Sequence, residues 1–112
     1  MSSEKLLEVE RLNQVLQRFA HERNWEGFHT PRNLVLALTG EVGELAEIFQ
    51  WMSDEQVERI AADSERYTHV QEELADVLLY LVRLASVLKV DLNHAVVDKL
   101  MKNALKYPAD RS

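Results

Sequence analysis

Apolar residues recur three and four apart along most of the chain, in segments divided by short polar breaks. Leu6, Val9, Leu12, Leu16 and Phe19 form the first such stripe and predict a helix over Ser3–Arg23. Between Trp25 and Pro31 the pattern stops at Gly27 and Pro31, and Thr30 stands where a side-chain oxygen can cap the helix that Pro31 opens. That second helix is expected over Pro31–Met52. A more polar stretch, Ser53–Ser64, reads as a short helix or a loop. A third helix is expected over Glu65–Lys89. Asp91 can cap a fourth over Leu92–Lys106, which ends at Tyr107-Pro108. No run sustains the period-two alternation of a half-buried strand. The pattern therefore predicts an all-α fold, a four-helix bundle with short connections, as a single domain over residues 1–112.

The third helix changes that picture. Leu74, Val77, Leu78, Leu79, Leu81, Val82, Leu84, Val87 and Leu88 leave almost no polar side. A helix that is apolar all round must be buried all round. One small bundle supplies too little cover, so self-association is expected, with a dimer as the minimum. A membrane does not provide that cover, because Leu74–Val90 carries Asp76, Arg83 and Lys89 and is short for a span. The charged segment Met1–Glu10 lacks the apolar core of a targeting signal. The expectation is a soluble, cytoplasmic protein with no membrane partner.

Charge narrows the function further. The 112 residues carry 19 Asp and Glu against 13 Lys and Arg, a net charge of −6, and no cysteine. Disulfides, thiolate metal sites and cysteine nucleophiles are excluded. A nucleic-acid polymer needs a basic face, so that class of partner is not expected. A phosphate-bearing small ligand stays open, because a bound cation reverses the local charge logic. The balance also reverses near the end of the chain, where Lys99, Lys102, Lys106 and Arg111 face Asp110 alone.

Some of the acids stand where apolar residues belong. The second helix has a stripe at Leu34, Leu38, Leu45 and Ile48, and the position between Leu38 and Leu45 is Glu41. Glu44 shares that flank and Glu47 lies one step further on. In the third helix Glu73 and Asp76 lie three apart on one face, which continues as Val77, Tyr80 and Leu84. Two acid-x-x-acid pairs brought to a shared space must protonate or recruit a cation. Oxygen-only ligands favour Mg²⁺, Mn²⁺ or Ca²⁺ over Zn²⁺. Di-iron bundles use Glu-x-x-His on inward faces. Glu26-x-x-His29 matches only as letters, since it lies in the Gly/Pro break. The same acids also suit a solvated helix face with ordinary ion pairs.

Longer motifs carry a resemblance. His29-Thr-Pro-Arg-Asn-Leu, Gly40-Glu-Val-Gly-Glu-Leu-Ala-Glu, Phe49-Gln-Trp51, Glu72-Glu-Leu-Ala-Asp-Val-Leu-Leu-Tyr80 and Lys106-Tyr-Pro108 follow one another in order. Together they closely resemble the MazG-like all-α nucleoside triphosphate pyrophosphohydrolases, the small dCTP pyrophosphatase branch in particular, over roughly Phe19 to Ala109. The resemblance implies an oligomeric helical enzyme, a homotetramer by analogy. It implies a Mg²⁺ site, Mn²⁺ being the alternative ion, with Glu41, Glu44, Glu73 and Asp76 as ligands. One departure is Gly40, which stands where the family's first acid doublet begins; the small dCTP-type members are similar there. Glu47 would be an accessory catalytic acid. The implied reaction is hydrolysis of a (d)NTP to a (d)NMP and pyrophosphate by water attack on the α-phosphorus, with Glu44 or Glu47 accepting the proton. A preference for dCTP or a modified dCTP, in nucleotide-pool cleaning, is the first expectation. The alternatives are dUTP or phosphoribosyl-ATP hydrolysis on the same fold, or a non-catalytic helical interaction module.

Substrate contacts can be assigned in the same way. Lys99, Lys102 and Lys106 form a basic stripe suited to phosphates, although cations also suit the end of any helix. Arg32 and Asn33 open the second helix, whose N-terminus can hold an anion. Asn103, Lys106 and Tyr107 match positions the family uses near the nucleotide. Trp25, Phe28, Trp51 and Tyr80, with Phe19 beside them, are the aromatic candidates to wall a base, core packing being the other reading. His29 either bonds a base edge or caps its loop. His21, His69 and His94 read as surface residues.

Overall fold

The protein is described here, over residues 5–109, by a computed structural model. The predicted start of the first helix at Ser3, and Asp110 and Arg111, lie outside the described residues. Among the described residues five α-helices follow in order: α1 Val9–Glu22, α2 Pro31–Phe49, α3 Asp54–Glu58, α4 Ser64–Val87 and α5 Leu92–Lys106. A 3₁₀ turn, Ile60–Ala62, links α3 to α4.

Local chemistry sets most of these limits. Thr30 Oγ1 accepts from the Asn33 amide and Pro31 takes the first helical position, so α2 begins where the sequence indicates. Asp91 accepts from the His94 amide at the start of α5. The polar stretch after Trp51 folds as a capping box: Ser53 Oγ accepts from the Gln56 amide, and the Gln56 side chain accepts from the Ser53 amide. Asp63 caps α4 through the Arg66 amide. The ends of α1 and α4 share one geometry. Asn24 has φ 56° and Lys89 has φ 59°. The Trp25 amide donates to the Ala20 carbonyl at 2.9 Å, and the Val90 amide to the Ala85 carbonyl at 2.8 Å. Both are Schellman turns with a left-handed residue other than glycine. The first of them folds Trp25 back beside Phe19, with ring centroids 5.5 Å apart.

Packing centres on α4. Its principal contact is with α2, and α1 adds a smaller one. Ala20 of α1, Leu34 of α2 and Val82 of α4 are fully buried, with Ala85 nearly so. α5 makes no extensive contact with another helix among the described residues. It is held at its start by Asn93, whose side-chain oxygen accepts from the Leu6 and Leu7 amides and whose nitrogen donates to the Leu7 carbonyl. The all-α class is observed. The expected four-helix bundle is realised only in part within one chain, because α1, α2 and α4 pack while α5 stands apart. The shape reflects this. The radius of gyration is 17.4 Å, against about 13 Å for a compact chain of this length. Leu74, Leu78 and Leu81 of α4, Leu88 just after its end, and Leu100, Met101 and Leu105 of α5 remain exposed. No described helix is long and apolar enough to cross a membrane.

Candidate active site

The contact between α2 and α4 carries three acids to one point. A carboxylate oxygen from each of Glu41, Glu73 and Asp76 lies within 4.8 Å of the others. Glu41 occupies a position of the leucine stripe that α2 lays on α4, which brings its carboxylate to the interface. Glu73 is buried, and Glu41 and Asp76 are half-buried. Glu41 Oε2 and Glu73 Oε2 are buried without any hydrogen-bond partner. Such orphaned acceptors are costly unless a proton or a cation satisfies them. The Glu41 carboxyl is pushed up to about 7, first by the approach of the Glu73 carboxylate, with which a proton on Glu41 could be shared, then by burial and by the nearby Glu44 carboxylate. An all-oxygen donor set with buried unsatisfied oxygens fits a hard divalent cation.

Two cavities flank the acids. The first, about 460 Å³, is lined by Leu16, Phe19, Ala20, Trp25, Phe28, His29, Leu79, Tyr80 and Arg83, with Asp76 at its edge. The second, about 570 Å³, is lined by Glu44, Glu47, Ile48, Trp51, Met52, Gln56, Arg66, His69 and Glu73. The acid trio therefore stands between a predominantly aromatic chamber and a charged one.

The aromatic chamber owes its shape to the break after α1. The Schellman turn returns Trp25, and the Phe28 and His29 amides both donate to the Trp25 carbonyl. Asn33 Nδ2 donates to the Phe28 carbonyl at 3.1 Å, tying this turn to the start of α2. Arg83 Nε donates to His29 Nδ1 at 3.0 Å from the far wall. Burial, and then the Arg83 charge, hold the His29 pKa below its ordinary value.

Of the acids singled out in the sequence, Glu41, Glu73 and Asp76 form the trio, while Glu44 and Glu47 are exposed on the wall of the charged cavity. Phe19, Trp25, Phe28, His29 and Tyr80 meet in one chamber, and Trp51 stands apart at the rim of the other, 87% exposed. Arg32 borders neither cavity, and the Asn33 amide group is engaged with the loop. Lys99, Lys102, Asn103, Lys106 and Tyr107 also border neither; Lys102 pairs with Asp98 at 3.1 Å, and Lys106 lies over the Tyr107 ring. His69 is exposed, as expected of a surface residue, yet its Nε2 lies 3.5 Å from Glu73 Oε1.

Four residues escaped the sequence reading. Gln56, Arg66 and His69 join the charged cavity, and Arg83 joins the aromatic one. His69 was findable, since it precedes Glu73 by one helical turn. Arg83 was findable as a lone cation inside an apolar run. Gln56 and Arg66 gave no signal, because their approach depends on how the chain turns through Ile60–Ala62.

Helices that pair two acid-x-x-acid segments beside a cavity define a class: the chain belongs to the MazG-like family, whose family model matches residues 37–112. More particular likenesses point within it. The chain is 50% identical over 104 residues to dCTP pyrophosphatase 1 of Rattus norvegicus, covering 93% of this chain and 61% of that protein. It is 51% identical over 112 residues to dCTP pyrophosphatase 1 of Bos taurus, covering 99% and 64%. The chain thus spans about six-tenths of the length of these curated relatives. A crystal structure of a pyrophosphatase from Archaeoglobus fulgidus superposes with a TM-score of 0.80 at 39% identity, covering 97% of this chain and 100% of that one.

Proposed function

We propose that the protein is a Mg²⁺-dependent nucleoside triphosphate pyrophosphohydrolase that prefers dCTP or a modified dCTP. The observation that carries the reading is the position of the acid trio between an aromatic chamber and a charged cavity. The likeness to dCTP pyrophosphatases of two mammals supports the choice of substrate.

Glu41, Glu73 and Asp76 would hold the ion, and Glu44, near enough to raise the Glu41 pKa, would be the fourth ligand. Mg²⁺ held there supplies charge neutralisation of the triphosphate and makes water more acidic, and Mn²⁺ can do the same. Glu47, one turn beyond Glu44 on the same wall, accepts the proton of the attacking water. A new bond forms between the water oxygen and the α-phosphorus. The bond from that phosphorus to the bridging oxygen breaks, and pyrophosphate leaves. Phe19, Trp25, Phe28 and Tyr80 stack on or enclose the base. Arg66 supports the outer phosphates, and Trp51 shields the rim.

The reading includes a homotetramer, with a dimer as the smallest competent unit. Its support is the expanded shape and the exposed leucines of α4 and α5. In such an assembly Lys99, Lys102, Asn103, Lys106 and Tyr107 of α5, with Arg32 and Asn33 at the start of α2, serve the phosphates of a neighbouring site. The reading places the enzyme in the cytoplasm, where free nucleotides are.

A phosphate-release panel with Mg²⁺ tests the proposal. dCTP should yield dCMP and pyrophosphate faster than dUTP, dTTP or the purine nucleotides, and Glu41→Gln and Asp76→Asn should abolish the reaction. Turnover of dUTP alone would replace the dCTP assignment. No metal-dependent turnover of any nucleotide would leave a helical interaction module.

A further inference from the structure

Arg83 is out of place by ordinary rules. It lies in the apolar second half of α4, it is 9% exposed, and no carboxylate among the described residues lies within ion-pair distance of it. An arginine this buried, with no carboxylate as counter-charge, is costly and needs a compensating role. Its hydrogen bond is to an imidazole: Nε donates to His29 Nδ1 at 3.0 Å, across 54 residues of sequence.

That bond decides where the proton of His29 sits. A guanidinium has N–H donors and no acceptor, so His29 Nδ1 must offer its lone pair. A proton on Nδ1, in either the other tautomer or the imidazolium, would set N–H against N–H. The one compatible form is the neutral ring with its proton on Nε2. The lowered pKa of His29 agrees with this. Nε2 has no protein partner among the described residues, and the ring lines the aromatic chamber with Phe19, Trp25, Phe28 and Tyr80.

We propose that Arg83 is a positioning and specificity-determining residue that fixes His29 as an Nε2–H donor, so that the chamber takes a base by an acceptor edge. Cytosine presents an acceptor at N3, whereas N3 of uracil and thymine carries a hydrogen and would meet donor with donor; O2 accepts in all three bases, so the discrimination lies in donation to N3. The specificity half of this inference rests on the nucleotide reading above; the tautomer half does not.

The two halves are tested by different measurements on the full chain. Long-range proton–nitrogen correlation of ¹⁵N-labelled protein near neutral pH reports the His29 ring, identified by loss of its signals in His29→Gln. The wild type should show an unprotonated Nδ1 and a protonated Nε2. Arg83→Met, of similar volume but without a donor, should move both signals toward the average of the two tautomers, and Arg83→Lys, which keeps a donor, should restore them. In parallel, the ratio of kcat/KM for dCTP over dUTP should fall about tenfold in Arg83→Met, through KM more than kcat, and recover in Arg83→Lys. A proton on Nδ1 in the wild type would overturn the proposal even if Arg83→Met failed to fold. Unchanged His29 signals or an unchanged substrate ratio in Arg83→Met would also overturn it. If the wild type turned over no nucleotide, the specificity half would fall with the proposed function, and the tautomer would still be judged from the spectra.

Discussion

Glu41 is where burial, charge and proton uptake meet. Its carboxyl sits near 7 because Glu73, burial and Glu44 all disfavour its charged form. In the metal-free protein the folded state therefore keeps a proton that the unfolded chain releases near 4.5. The stability this proton confers is complete below 4.5 and is lost as pH rises toward about 7. Thermal unfolding of the metal-free protein across that range should show the decline, and Glu41→Gln should flatten it. A divalent cation should displace the proton. Calorimetry near pH 6 in buffers of different ionisation enthalpy should detect proton release on Mg²⁺ binding in the wild type and less in Glu41→Gln. The same substitution should lower kcat by at least about a hundredfold if the ion stabilises the reacting phosphate. The location of this residue was legible in the sequence as an acid inside a leucine stripe, although a solvated helix face with ordinary ion pairs suited it equally there. Its proton affinity was not, because that depends on how closely Glu73 approaches from another helix.

At the level of elements, caps and turns carry much of the site. Thr30 holds the first turn of α2, and Asn33 binds that turn to the loop bearing Phe28 and His29. Thr30→Ala should cost about 1 kcal/mol in denaturant unfolding. It should also raise KM, since the chamber wall loses its anchor. Lys89 makes the opposite case. It takes a left-handed conformation with φ 59° at the end of α4, which a residue with a Cβ adopts at a penalty. Lys89→Gly should stabilise the fold by about 1 kcal/mol in the same assay, with turnover unchanged. The starts of α2 and α5 matched their sequence signals because Thr30-Pro31 and Asp91 act locally. The start of α1 did not: Leu6 belongs to the predicted stripe, but the Leu6 and Leu7 amides donate to Asn93, 86 or more residues away. A distant partner had taken the amides that would otherwise face the first turn.

For the whole molecule, a radius of gyration of 17.4 Å and a short inventory of buried apolar side chains describe a protomer that does not cover itself. Leu105 on α5 is 85% exposed. Sedimentation should find the wild type at a multiple of the protomer mass at micromolar concentration. Leu105→Glu should shift it toward the monomer and lower turnover in parallel, because the basic residues of α5 would no longer reach a neighbouring site. A monomeric wild type with full activity would sink this part of the reading.

Periodicity, caps and a charge inside an apolar stripe act within one or two turns, so the helical class, the positions of most helices and the acids from which the trio is drawn could be read along the chain. The sequence also marked the aromatic residues that meet around the chamber. Whatever depends on the approach of distant segments came from packing. It selected Glu41, Glu73 and Asp76 as the trio and left Glu44 and Glu47 on the cavity wall. It separated Trp51 from the other aromatics and kept α5 off the helices that build the site. It set Arg83 against His29, which gave a lone buried cation its partner and a histidine its tautomer. Each of these follows from packing geometry at a few ångströms, a scale that spacing along the chain does not encode.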